Sequence, residues 1–148
     1  MGNESDFKVT DSEWEVMRVV WAHDKVTSKE IIDVLERKMG WKPGTTKTFI
    51  GRLVNKEMLK TETQGRRYLY SANVGESEFI RYALSDFFSH VCNKELGKTI
   101  SEVLENATLS FKDLDLLQEM LDKKKKHAVE EVPCQCVPGQ CHCSVHPH

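Results

Sequence analysis

Apolar positions along the chain keep a helical beat, break once into an alternating pattern, and return to the helical beat before fading near the end. Trp14, Met17 and Trp21, flanked by Val16 and Val20, sit on one face of a helix predicted over 11–23. Thr10 and Glu13 flank its start as a capping box. A second box, Thr27 with Glu30, opens a helix whose stripe is Ile31, Ile32, Leu35 and Met39, with Gly40 as its stop. Pro43 suits the first turn of a third helix, which buries Phe49, Ile50, Leu53 and Val54. The beat then shortens. Residues 59–63 and 67–71 read as two short strands joined by Gln64, Gly65 and Arg66.

Beyond Asn73 the pattern is helical again. Phe79, Ile80, Ala83, Leu84, Phe87, Phe88, Val91 and Cys92 form a wide aromatic stripe. Leu96, Ile100, Val103 and Leu104 form a second, and Ser110 caps a third helix with Leu114, Leu117, Met120 and Leu121. Three helices in about fifty residues leave too much surface to bury a core of their own. The stripes therefore predict a partner, most simply a second copy of the chain. The expected interface is Phe79, Ala83, Phe87, Phe88, Ile100, Leu104, Leu117 and Leu121. Cys92 falls on the apolar stripe and reads as a small buried hydrophobe.

Three helices followed by a hairpin with cations at its tip describe a winged helix-turn-helix. The fold class expected is mainly α: that winged domain over 1–74, a three-helix dimerisation domain over 75–126, and a linker with a cysteine-rich tail over 127–148. Charge supports the first assignment. The net charge of the whole chain is −2, yet residues 42–70 carry seven Lys/Arg against two Asp/Glu. A local positive stretch in an acidic chain is the footprint of a phosphate-binding face. The expected contacts to duplex DNA are Thr45, Thr46, Lys47, Thr48, Arg52 and Lys56 on the third helix, and Arg66 and Arg67 on the wing. Against this stands a plain amphipathic helix with a solvated face. The four lysines at 123–126 suit a helix C-terminus.

The tail carries the most specific chemistry. Cys134, Cys136, Cys141 and Cys143 form C-x-C-x4-C-x-C, with Val137-Pro138-Gly139-Gln140 between the pairs. Pro then Gly at the centre is a type II turn signature, which folds the pairs together. Four thiolates are a soft ligand set, suited to Zn(II) or Cu(I). C-x-C is tighter than the usual zinc-finger spacing, and Cu(I) accommodates crowded, shared sulfurs. A pair of disulfides or a bare tail with spare thiols are the alternatives. His142, His146 and His148 lie nearby and read as solvated. The acidic N-terminal residues 1–6 have no apolar run, and no stretch approaches membrane-spanning length, so a cytoplasmic protein is expected, with no membrane partner. No phosphate loop, dinucleotide fingerprint or nucleophile elbow is present, so no enzyme is expected.

With these residues laid out, the chain resembles copper-responsive repressors of the CopY type, within the penicillinase-repressor family that also holds the BlaI and MecI repressors. The resemblance rests on Ser12-Glu-Trp14-Glu-Val-Met17, Val20-Trp21, Trp41-Lys-Pro43, Lys47-Thr48, Gly51-Arg-Leu53-Val, Arg67-Tyr-Leu-Tyr70 and the tail cysteines with Pro-Gly between them. It implies a homodimer on palindromic operators of copper-homeostasis genes, Zn(II) bound in the DNA-binding form, and Cu(I) displacing zinc to release the operator. Cys134, Cys136, Cys141 and Cys143 map onto its metal ligands. A copper-donating metallochaperone is a further candidate partner. The rival readings are a zinc-sensing repressor and a copper buffer without specific DNA binding. The histidine-bearing extension 144–148 departs from the pattern and bears on metal stoichiometry.

Overall fold

The structure, a computed structural model, describes residues 8–143. They form two compact units that divide between Ala83 and Leu84.

The first unit is a winged helix-turn-helix. Helix α1 (Asp11–Trp21) starts at Thr10, whose hydroxyl accepts from the Glu13 amide while the Glu13 carboxylate accepts from the Thr10 amide. Helix α2 (Ser28–Met39) repeats the device with Thr27 and Glu30 and stops at Gly40, which takes φ +69°. Helix α3 (Pro43–Asn55) begins with proline, as predicted. Its end is a Schellman turn: the Met58 amide donates to the Leu53 carbonyl and the Glu57 amide to the Val54 carbonyl. Glu57 sits in the left-handed position this turn requires, at φ +62°, where glycine is the usual occupant.

Strands β2 (Leu59–Gln64) and β3 (Arg67–Ala72) form the hairpin, each one residue longer than its pattern suggested. The sequence analysis missed a third strand, β1 (Val26–Thr27), which pairs antiparallel with β3 through Val26–Tyr70 and Thr27–Leu69. The order is β1-β3-β2. Two residues are too few to show alternation.

The core lies where the three helices meet the root of the wing. Val16, Met17 and Val20 of α1 pack with Ile31 and Leu35 of α2, Ile50 and Leu53 of α3, and Met58 and Leu59. The Trp21 indole N–H donates to the Val74 carbonyl at 2.9 Å and closes the end of the wing onto α1. Helix α4 (Glu76–Ser89) contributes Phe79, which is 2% exposed and meets the Trp14 ring edge-on at 4.9 Å and the Trp21 ring at 5.4 Å. This corrects two expectations. Phe79 belongs to the core of the first unit and is not available to an interface, and that unit runs past residue 74 to Ala83.

The second unit holds the rest of α4, a 3₁₀ turn Asn93–Glu95, helices α5 (Leu96–Asn106) and α6 (Phe111–Lys125), and the tail. Ser110 caps α6 through a reciprocal pair with Asp113. No described residue of this unit is buried. Phe87, Ile100 and Leu121 are about half exposed, at 57%, 49% and 53%, while Ala83, Phe88 and Leu117 are partly covered and Leu104 is exposed. No helix among the described residues is long and apolar enough to cross a membrane.

Candidate metal centre and nucleic-acid interface

Helix α3 presents Thr45, Lys47, Thr48 and Arg52 to solvent. The Thr48 hydroxyl donates to the Gly44 carbonyl at 3.0 Å, so it faces outward as an acceptor. The Arg52 guanidinium lies over the Phe49 ring at 5.7 Å, and Phe49 packs against Trp41 at 5.0 Å. That stack limits where the cation can reach. Arg66 and Arg67 are exposed at the hairpin, where Gly65 takes φ +65°. A cleft of about 540 Å³ runs between α3 and the wing, with Lys47, Gly51 and Asn55 on one side and Thr61, Tyr68 and Tyr70 on the other. Tyr68, 57% exposed, and Asn55 belong to this face and were not picked from the sequence.

Two expected contacts do not belong to that face. Thr46 is completely buried, and its hydroxyl oxygen has no hydrogen-bond partner among the described residues. It points inward because it shares the face of Ile50 and Leu53, four and seven positions on. Lys56 is engaged elsewhere. Its ammonium donates to both oxygens of Glu13, at 2.7 and 2.8 Å, and to the Lys8 carbonyl at 3.2 Å. The Glu13 side chain is wholly buried and that of Lys56 is 37% exposed. Burial alone would raise the Glu13 carboxyl; the Lys56 ammonium and the Thr10 amide and hydroxyl outweigh it and hold the group below the usual carboxylate range. This pair neutralises itself and ties α1 to the end of α3.

The tail forms the turn expected of it. The Gln140 amide donates to the Val137 carbonyl at 3.2 Å, and Gly139 takes φ +96°. All five cysteines are thiols. The sulfurs of Cys134 and Cys141 stand 3.6 Å apart, far outside the roughly 2.05 Å of a disulfide. Cys92 joins them, which corrects its reading as a buried hydrophobe. Its Sγ lies 3.3 Å from Cys134 Sγ and 3.6 Å from Cys143 Sγ, and the residue is only partly buried. The sulfurs of Cys92, Cys134, Cys136 and Cys141 all lie within 4.8 Å of one another.

These distances fit a metal. Four sulfurs at about 2.3 Å from a tetrahedral Zn(II) would stand roughly 3.8 Å apart. The Cys92–Cys134 and Cys134–Cys141 pairs, at 3.3 and 3.6 Å, stand within about half an ångström of that spacing. Hydrogen bonding to Cys134, then burial and Cys92, push the Cys136 thiol up to about 12. Burial and contact with Cys92 push Cys143 up as well. Cys141 moves down, held first by the Cys143 backbone amide. The Cys136 thiol therefore keeps its proton at neutral pH, and a cation bound to that sulfur must displace it. His142 is exposed; His146 and His148, the extension 144–148 and the N-terminal residues 1–6 lie outside the described residues.

The family model of penicillinase repressors matches residues 9–123. The chain belongs to the penicillinase repressor family. It is 31% identical to the penicillinase repressor of Bacillus licheniformis over 83% of this chain and 96% of that protein. It is 44% identical to an uncharacterised 16.5 kDa protein from the ptsI 3′ region of Latilactobacillus sakei, over 95% of this chain and 96% of that one. A solution structure of the DNA-binding domain of the repressor BlaI aligns with 48% of this chain and 87% of its own length, at 35% identity and a TM-score of 0.45. As a penicillinase-repressor-family protein, the chain belongs to a family of repressors and not of enzymes. The family match ends before the tail. Cys134, Cys136, Cys141 and Cys143 lie beyond it, and Cys92 lies within it. The signal that could have found Cys92 was the odd cysteine count, since five thiols exceed the four of the motif.

Proposed function

We propose that this chain is a metal-responsive transcriptional repressor with copper as its inducer. The observation that carries the reading is a cluster of mutually close thiols on a chain of the penicillinase repressor family. Two copies pair through the exposed apolar faces of α4, α5 and α6, and each reads one half of a palindromic operator. Helix α3 enters the major groove with Thr45, Lys47, Thr48 and Arg52, while Arg66 and Arg67 of the wing hold the backbone. The protein acts inside the cell, where thiols stay reduced, with a metallochaperone as the source of its copper.

Zinc in the thiolate cluster supports the DNA-binding form, and Cu(I) is the ligand that releases it. The crowding of the sulfurs favours Cu(I), because a fifth thiol is surplus to a four-coordinate zinc but useful to an ion that shares sulfurs. Charge does not distinguish the states, since one Zn(II) and two Cu(I) each leave four thiolates at −2. The signal is therefore geometric. A coupling of about 3 kcal/mol corresponds to roughly 150-fold in operator affinity. The test compares zinc- and Cu(I)-loaded protein at one salt concentration, on a duplex selected from a random pool by the zinc form. Equal affinities refute the copper reading. Release by excess zinc instead identifies a zinc sensor, and no selected sequence identifies a buffer.

A further inference from the structure

We infer that the metal centre is closed within one chain by Cys92, a ligand supplied from the helical body, and that Cys143 is the spare thiol. This rests on the proposal that the thiols hold a metal, and extends it to which sulfurs do so.

Cys92 leads directly into the 3₁₀ turn after α4, and its carbonyl accepts from the Glu95 amide at 2.8 Å. The turn fixes the backbone from which the thiol projects. Two contacts that involve no sulfur bring the tail to it. Gln135 donates from its side-chain amide to Asn93 Oδ1 at 2.6 Å, and Lys94 pairs with Glu131 at 3.4 Å. The neighbours of Cys92 thus hold the neighbours of Cys134, and the two sulfurs meet at 3.3 Å. A cysteine that merely filled an apolar stripe would be buried among hydrocarbon; this one is partly exposed and touches other thiols.

The count then decides the assignment. Among the described residues, the four sulfurs within mutual reach of one ion are those of Cys92, Cys134, Cys136 and Cys141. A tetrahedral ion takes four. Three come from the tail and one from the body, so filling the site fastens the tail to the turn that follows α4. A set drawn from Cys134, Cys136, Cys141 and Cys143 alone would leave the tail free of the body.

The test uses the reduced full-length protein and Co(II), whose thiolate absorption reports tetrahedral sulfur ligation, with affinities set by chelator competition. Cys92→Ser is expected to weaken Co(II) binding at least tenfold, and Cys143→Ser less than threefold. The reverse order overturns the assignment. Alkylation of the unmutated protein removes any dependence on variant folding: zinc should protect Cys92 and leave Cys143 reactive, and a Cys92 that stays reactive overturns it. Mixing Cys92→Ser chains with chains in which all four tail cysteines are serine should restore no binding; recovered binding would show a site shared between chains. If the unmutated protein takes up neither Co(II) nor zinc, the metal-responsive reading itself falls, and this inference with it.

Discussion

The two units of this chain solve the problem of burial in opposite ways. Residues up to Ala83 enclose a core in which Val16, Met17, Ile31 and Leu53 are fully covered, and α1 and α3 are further joined by the Glu13–Lys56 pair. From Leu84 onward no described residue is buried, although α6 carries the same reciprocal cap as α1 and α2 and α5 is strongly amphipathic. The difference shows that helix formation and core formation are separate achievements. Capping and propensity need only neighbours within one turn, whereas a core needs enough layers to cover itself. The first unit has three helices and a sheet around one centre; the second has helices and a thiol cluster, and its apolar faces stay uncovered.

The largest way to break this contrast is to charge the uncovered face. In a twofold interface each substitution is counted twice. Leu121→Glu should therefore weaken self-association by about 6 kcal/mol, taking roughly 3 per buried unpaired charge, while the melting of the first unit stays unchanged. Sedimentation velocity with circular dichroism reads both, and a variant that remains dimeric would remove α6 from the interface. Next in size is Phe79→Ala, expected to cost about 3–5 kcal/mol. That loss belongs to the first unit and not to self-association, and a fall in dimer affinity alone would return Phe79 to the interface.

Lys56→Met strands the buried Glu13 carboxylate and should cost about 3 kcal/mol. The salt dependence of operator binding should keep its slope; a slope reduced by about one unit would mean that Lys56 meets a phosphate after all. The same pair sets an acid response. The Glu13 carboxyl is held below its ordinary value, so its contribution is fully present above about pH 4.3, the unfolded value. It is lost as pH falls through the lower folded value. Denaturant titrations between pH 5 and pH 3, in about those bounds, should show a steeper decline for the natural chain than for Glu13→Gln. Smallest is Glu57→Gly. It relieves a left-handed backbone at φ +62° and should stabilise the first unit by about 1 kcal/mol. No gain would mean that contacts of the glutamate side chain offset the strain.

Much of the fold was legible in the residues because it depends on short range. The boxes at Thr10 and Thr27, the stop at Gly40, the proline start at Pro43 and the turn at Val137–Gln140 each need partners no more than four positions away. Lys47 and Arg52 of α3 and the hairpin arginines stand exposed, whereas Lys56 is drawn to Glu13. The inward aim of Thr46 was also readable, since it keeps the beat of Ile50 and Leu53, but a threonine beside lysines was taken for a polar face. Cys92 was misread for a different reason. Its helical phase matched an apolar stripe, and phase is blind to a partner forty-two positions away.

By itself, the order of residues determined where the first three helices start, that a hairpin follows them, which stretch carries positive charge, and that paired thiols would fold back on one another. These follow from hydrogen bonds and side-chain spacing within a turn or two. Tertiary structure alone decided that Phe79 enters the first core, that Lys56 is bound to Glu13, and that a fifth sulfur reaches the tail. Each of those outcomes joins residues more than forty positions apart, and only the closed chain brings such residues within bonding distance.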